Sequence, residues 1–73
     1  MGRHAGEPSR LDLNRASSEE LQRLPGVGPV MAERILTLRQ DLRRFRGLKE
    51  LESVRRIGPA TIERIRALVI VGR

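Results

Sequence analysis

The chain has 73 residues, with Lys+Arg 15 against Asp+Glu 9 and a formal net charge of +6. Such a length makes one small domain that buries only roughly 60% of its unfolded surface, and the basic excess points to a polyanionic partner. With Cys 0 there is no disulfide framework or thiolate zinc site, and Phe45 as the single aromatic argues against a base-stacking platform of the single-strand-binding kind. Residues 1–10 are polar and aperiodic and read as a disordered tail in which His4 is solvated; residues 11–73 read as the folded domain. Leu11-Asp12-Leu13-Asn14 alternates, yet no segment reads convincingly as a strand. Ser17 with Glu20 forms a capping box that starts a helix at about Ser18; it carries Leu21 and Leu24 and stops at Pro25-Gly26. A second helix starts near Pro29 and sets Met31, Ile35, Leu38 and Leu42 on one face. Arg43 to Gly47 is a connector whose Phe45 plugs the core. A third helix spans about Leu48 to Val54, and a fourth starts near Pro59 with Ile62, Ile65, Leu68 and Val69.

The second half repeats the first with an offset of thirty residues. Leu24-Pro25-Gly26-Val27-Gly28-Pro29 returns as Val54-Arg55-Arg56-Ile57-Gly58-Pro59. Glu20-Leu21 matches Glu50-Leu51, Glu33-Arg34-Ile35 matches Glu63-Arg64-Ile65, and Leu38 matches Leu68. One helix-hairpin-helix unit cannot bury its apolar face alone, so the expected fold is all-α, with two units packed about a pseudo-two-fold axis around one core. Leu21, Leu24, Val27, Ile35, Phe45, Leu51, Ile57 and Ile65 are the expected core. Val27 and Ile57 would point inward and fasten the hairpins side by side on one surface.

The hairpins are the candidate site. A Gly-to-Pro step into a helix leaves backbone N–H groups facing outward at a positive helix end, where they can hold an anion. Gly26, Gly28 and Val30 offer amides in the first turn, with glycines 26 and 28 free to take positive φ and bare enough to let a ligand approach the backbone closely. Arg23 precedes this turn, and Arg34 and Arg64 stand at equivalent places beyond each hairpin. In the second turn Arg56 replaces Gly26. Either that turn differs locally, or the Arg55 and Arg56 side chains reach the phosphate themselves. Fourteen of the fifteen cations are Arg, which suits bidentate phosphate contact. Codon usage or a thermophilic source would also favour Arg over Lys, but would not explain the excess over acids. Glu33 and Glu63 read as solvent-facing residues or local ion pairs.

No catalytic set is visible. There is no Cys, no His outside the tail, and no carboxylate spacing of a metal site. The Gln22, Leu24 and Val27 carbonyls are candidate ligands for a monovalent cation bridging to a phosphate. No apolar run approaches the ~20 residues that span a bilayer, and no signal peptide is seen.

The string LDLNRASSEELQRLPGVGPVMAERIL, continued through FRGLKEL and IGPATIERI, resembles the helix-hairpin-helix domain of ComEA-type competence proteins from Leu11 to Val71. The Asn14-x-Ala16-Ser17-x-x-Glu20-Leu21 lead-in with LPGVGP is the specific part. The resemblance implies sequence-nonspecific binding of double-stranded DNA, and DNA reception at the cell surface before uptake. It implies that amides at Gly26, Gly28 and Val30, and at Gly58 and Ala60, meet phosphates in the minor-groove region. The membrane anchor and linker of such a receptor have no counterpart in these residues, so the chain reads as a fragment or a free-standing relative. Its place is extracytoplasmic and membrane-associated in the first case, cytoplasmic in the second. The competing reading is a helical docking module that never touches DNA. No enzyme activity and no cofactor are expected.

Overall fold

The computed structural model describes residues 10–72, so the tail reading of residues 1–9 and His4 lies outside the described residues. The elements run β1 (Leu11–Asp12), α1 (Ser18–Leu21), α2 (Pro29–Leu42), a 3-10 helix (Leu48–Ser53), α3 (Pro59–Ile65), a 3-10 turn (Arg66–Leu68) and β2 (Val69–Ile70). Ser17 opens α1 as its spacing demands. The Glu20 amide donates to its hydroxyl at 3.1 Å, and the Ser17 amide donates to the Glu20 carboxylate at 2.9 Å. In the second unit Gly47 stands where Ser17 does and has no hydroxyl to offer. Only the carboxylate half of the cap survives: Glu50 accepts from the Arg46 and Gly47 amides at 2.7 and 3.3 Å. The expected third helix over 48–54 is accordingly a tighter 3-10 helix, and Val54 leaves it in extended conformation.

Every residue expected inside is buried, with Leu21, Ile35, Phe45, Leu51 and Ile65 fully enclosed. They come from both units and form a single cluster, joined by Leu13, Ala16, Ala32 and Val69. Among the described residues the buried set is wholly apolar. Helices thus carry the fold, and two repeated units share one core as the register requires.

Two expectations at the ends of the chain are corrected. There are strands: β1 and β2 pair in parallel, Leu11 opposite Val69 and Asp12 opposite Ile70. The fourth helix does not include Val69: α3 ends at Ile65, a 3-10 helix carries it on through Leu68, and the backbone turns extended at Val69. The β-branched run Val69-Ile70-Val71 favours that extended path. In consequence Leu68 is 44% exposed, unlike its repeat partner Leu38, which is half-buried.

Polar side chains then tie the ends to the middle. Asn14 accepts the Phe45 amide at 2.6 Å and donates to the Phe45 and Gly72 carbonyls at 2.9 and 2.6 Å. Arg39 on α2 donates to the Leu13 and Ala16 carbonyls at 3.0 and 2.8 Å. The Gly72 amide donates to Asp12 at 3.1 Å, and a Cβ at Gly72 would run into that carboxylate. Beyond α2 the chain turns at Arg43, whose φ of 75° is left-handed. A glycine would take that conformation without strain.

Two measurements test this packing. Phe45→Ala lowers unfolding free energy by about 3–5 kcal/mol in urea, the cost of emptying a fully enclosed ring site. A loss below about 1 kcal/mol would show the ring to be unpacked. Asn14→Ala costs about 1–3 kcal/mol by stranding the Phe45 amide and two carbonyls.

Candidate nucleic-acid interface

The two hairpins superimpose bond for bond. Leu24 and Val54 donate to the Leu21 and Leu51 carbonyls at 3.0 and 2.9 Å. Val27 and Ile57 donate to the Leu24 and Val54 carbonyls at 3.1 and 3.0 Å. Ala32 and Ile62 donate to the Gly28 and Gly58 carbonyls at 2.9 and 3.1 Å. Both turns are pinned by the side chain at their centre, since Val27 and Ile57 are buried.

The left-handed position is shared too. Gly26 has φ 80° and Arg56 has φ 77°. A local difference in the second turn is therefore ruled out at the backbone. Arg56 adopts the glycine conformation at a cost of roughly 1–2 kcal/mol. Gly28 departs from expectation in the other direction. Its φ is −99° and that of Gly58 is −113°, both in the extended region that any residue adopts. A Cβ built at either position meets nothing within 4 Å. Neither backbone angle nor internal packing asks for glycine at 28 and 58. What glycine provides there is open surface over a helix start.

That start carries unpartnered donors. Gly28 caps α2 without a side-chain hydrogen bond, and Pro29 occupies the first turn. Val30 and Met31 follow, and their amides have no intrahelical acceptor. Among the described residues the Gly26 and Gly28 amides take no backbone partner either. Met31 is a donor that the sequence reading missed, because its side chain falls on the apolar face of α2. Its amide is set by its place in the first turn, which Pro29 signalled. Behind these groups α2 has 14 residues, whereas α3 has 7.

Between the hairpins lies a cleft of about 460 Å³ lined by Gly28, Pro29, Val30, Met31, Arg34, Arg55 and Arg56. Every charged residue of its lining is an arginine. Of the sequence candidates, Gly28, Val30, Arg34, Arg55 and Arg56 meet here. Arg23, Gly26, Gly58, Ala60 and Arg64 are not among the lining residues; all are exposed except the half-buried Gly58. Glu33 lies off the cleft, beside a larger groove along α2. Glu63 pairs with Arg66 at 2.9 Å in solvent, and among the described residues Arg64 takes no ion pair.

The three carbonyls offered to a monovalent cation differ in what they already accept. Leu24 oxygen accepts the Val27 amide and retains a second lone pair, while Gln22 and Val27 oxygens accept no backbone donor among the described residues. Among the described residues, no group of three His, Cys, Asp or Glu side chains could hold a metal ion. Nor is any described helix long and apolar enough to cross a membrane.

Beside these repeated hairpins with matching bonds, the helix-hairpin-helix motif matches residues 7–70 of this sequence. The chain belongs to the helix-hairpin-helix family. Helix-hairpin-helix relatives include ComE operon protein 1 of Bacillus subtilis, 35% identical over 90% of this chain and 32% of the relative. A deoxyribonuclease of Thioalkalivibrio sp. is 39% identical over 84% of this chain and 16% of its own length. The endonuclease/exonuclease/phosphatase family domain-containing protein 1 of Xenopus laevis is 34% identical over 85% of this chain and 11% of its length. This helix-hairpin-helix chain thus spans about a third or less of these relatives. The resemblance to the ComEA-type domain rests on the first match.

Stability measurements separate the two kinds of hairpin residue. Arg56→Gly raises unfolding free energy by about 1 kcal/mol, because it relieves a left-handed non-glycine. Gly28→Val costs no more than about 1 kcal/mol, the difference between glycine and a poor cap. Equal losses of several kcal/mol in both variants would contradict the described backbone.

Proposed function

We propose that this domain binds double-stranded DNA by its backbone, without sequence preference, and that the two hairpins do so by different means. The carrying observation is the inter-hairpin cleft, where the start of α2 and the side chains of Arg34, Arg55 and Arg56 face one space. In hairpin 1 the amides of Gly26, Gly28, Val30 and Met31 receive a phosphate, aided by the α2 dipole. In hairpin 2 the Arg55 and Arg56 guanidinium groups carry the contact. The amides of Gly58 and Ala60 contribute less, ahead of a helix half as long. Arg23, Arg34 and Arg64 add flanking charge. Contacts of this kind read shape and charge, not bases. A monovalent cation on the Gln22, Leu24 and Val27 carbonyls would supply positive charge between those oxygens and a phosphate.

Family membership and the match to ComE operon protein 1 support DNA binding and a part in DNA reception during competence. Relatives named as a deoxyribonuclease and as an endonuclease/exonuclease/phosphatase family protein share this segment over 16% and 11% of their lengths. That small share supports a DNA-holding role with no active site of its own. One observation favours the docking alternative: a groove of about 730 Å³ runs along α2 to the 3-10 helix, with Leu38 in its wall and Val30, 67% exposed, at the cleft.

Equilibrium binding to short duplexes of unrelated sequence, titrated with salt, tests the proposal. With about four phosphates engaged, log K falls against log salt with a slope near −3 to −4. Gly28→Val removes most of the affinity. Arg34→Ala and Arg64→Ala each flatten the slope by up to about one unit. Arg56→Gly weakens binding several-fold although it stabilises the fold. Undiminished binding by Arg56→Gly would return hairpin 2 to its amides. Failure to bind duplex at low salt would leave the docking module.

A further inference from the structure

Among the described residues two non-glycine positions have left-handed backbone, and both are arginines: Arg56 in hairpin 2 and Arg43 after α2. The first lies in the cleft. The second opens a basic segment that the proposed DNA site does not use. Arg43, Arg44, Arg46 and Lys49 are all exposed, and no acid stands between positions 43 and 49. Among the described residues none of the four takes part in an ion pair. The neighbouring acids are occupied or stand apart: Glu50 accepts the Arg46 and Gly47 amides, Asp41 lies in the α2 groove, and Glu52 is on the 3-10 helix.

The segment is held firmly. Phe45 is fully buried between Arg44 and Arg46, and Asn14 binds both its amide and its carbonyl. The arginines on either side are thereby presented by a fixed backbone. Their place follows from α2. If its N-terminal amides point at a phosphate, its axis points at the DNA, and its C-terminal end faces away. Fourteen residues at about 1.5 Å each put that end about 20 Å from the first duplex.

We infer that Arg43, Arg44 and Arg46 form a second phosphate-binding surface, so that one domain bridges two duplex segments. The inference rests on the hairpin reading for the first duplex. The ligand is again duplex DNA because the patch offers several forked cations on a connector fixed through Phe45, and no apolar side chain at its exposed positions. An anionic lipid surface is the outcome that the test must separate.

The test is sandwich capture. Bead-tethered duplex is loaded with the 73-residue chain, washed, and offered a second, labelled duplex across a salt series. The wild-type chain retains the label, with a salt slope of about −2 to −3 for this second step. The variant Arg43→Gly/Arg44→Ser/Arg46→Ser is expected to bind a single duplex within about threefold of wild type and to lose at least tenfold in capture, flattening that slope. Its Arg43→Gly change removes a strained residue, so folding is retained, and circular dichroism and a melting curve check this. Capture equal to wild type in a folded variant overturns the inference. So does loss of capture accompanied by loss of a dimer in light scattering, which would make the segment a self-association surface. Loss of binding to phosphatidylglycerol vesicles with capture unchanged overturns it in favour of lipid. The Gly28→Val chain tests the hairpin reading separately: single-duplex binding that survives it sinks that reading whatever the connector variant does.

Discussion

Everything in this domain depends on how a short turn can be fixed and yet face outward. A hairpin of six residues has almost no side chain to spend. Here one β-branched side chain, Val27 or Ile57, enters the shared core, while the flanking Gly26, Gly28 and Arg56 stay exposed and Gly58 is half-buried. Burial of such a side chain contributes roughly 1.5–3 kcal/mol, enough to hold the turn in one orientation. With the centre anchored, the amides before and after it must point away from the core. The left-handed residue at 26 or 56 is the geometric cost of reversing the chain so sharply. The outward geometry of the turn is therefore a by-product of fastening it. On the proposed reading an anion would meet a turn already formed, and little ordering entropy would be lost.

The two units diverge at the cap, at the left-handed position and in the helix that follows. Unit one has the hydroxyl cap at Ser17, glycine at the left-handed position and a helix of 14 residues behind it. Unit two has Gly47 in place of the cap, Arg56 in place of glycine, and a helix of 7 residues that gives way to a strand. Each of these changes weakens the second unit as a freestanding structure. The compensation is long-range. The strand formed by its last residues pairs with the entry strand, and Asn14 and Asp12 bind Gly72. Chain ends sixty residues apart hold the weaker unit in place.

Much of this was legible in the sequence because the repeat supplied its own control. The register predicted the turns, the inward side chains and the shared core, and the Ser17–Glu20 spacing predicted the first cap. What escaped had non-local causes. Two-residue strands have too few positions for alternation to be read, and β2 exists because Val69 finds Leu11 across the fold. Asn14 could be singled out as part of a lead-in, but its clasp on Phe45 joins residues thirty-one apart. Leu68 matches Leu38 in the repeat yet lies exposed, because the helix tightens to 3-10 over Arg66–Leu68 and ends there. For Gly28 the sequence offers two reasons for glycine, positive φ and close approach of a ligand to the backbone, and the structure removes the first. Composition says that a glycine stands there; only the angle of −99° and the empty space at its Cβ show that flexibility is not the reason.

Arginine at a left-handed position is the point where stability and surface chemistry conflict most openly. At 56 the internal repeat demonstrates that glycine suits the same turn, since Gly26 occupies it with nearly the same φ. Folding alone would favour glycine by an amount comparable to a good hydrogen bond. The guanidinium that replaces it makes no ion pair among the described residues and adds nothing to the core. Its side chain lines a cleft whose other charges are also positive, so the free domain gathers like charges at a site of backbone strain. Such an arrangement raises the energy of the unbound state and lowers that of a complex with an anion. On the proposed reading the strain belongs to the binding surface, set against a core that among the described residues is wholly apolar.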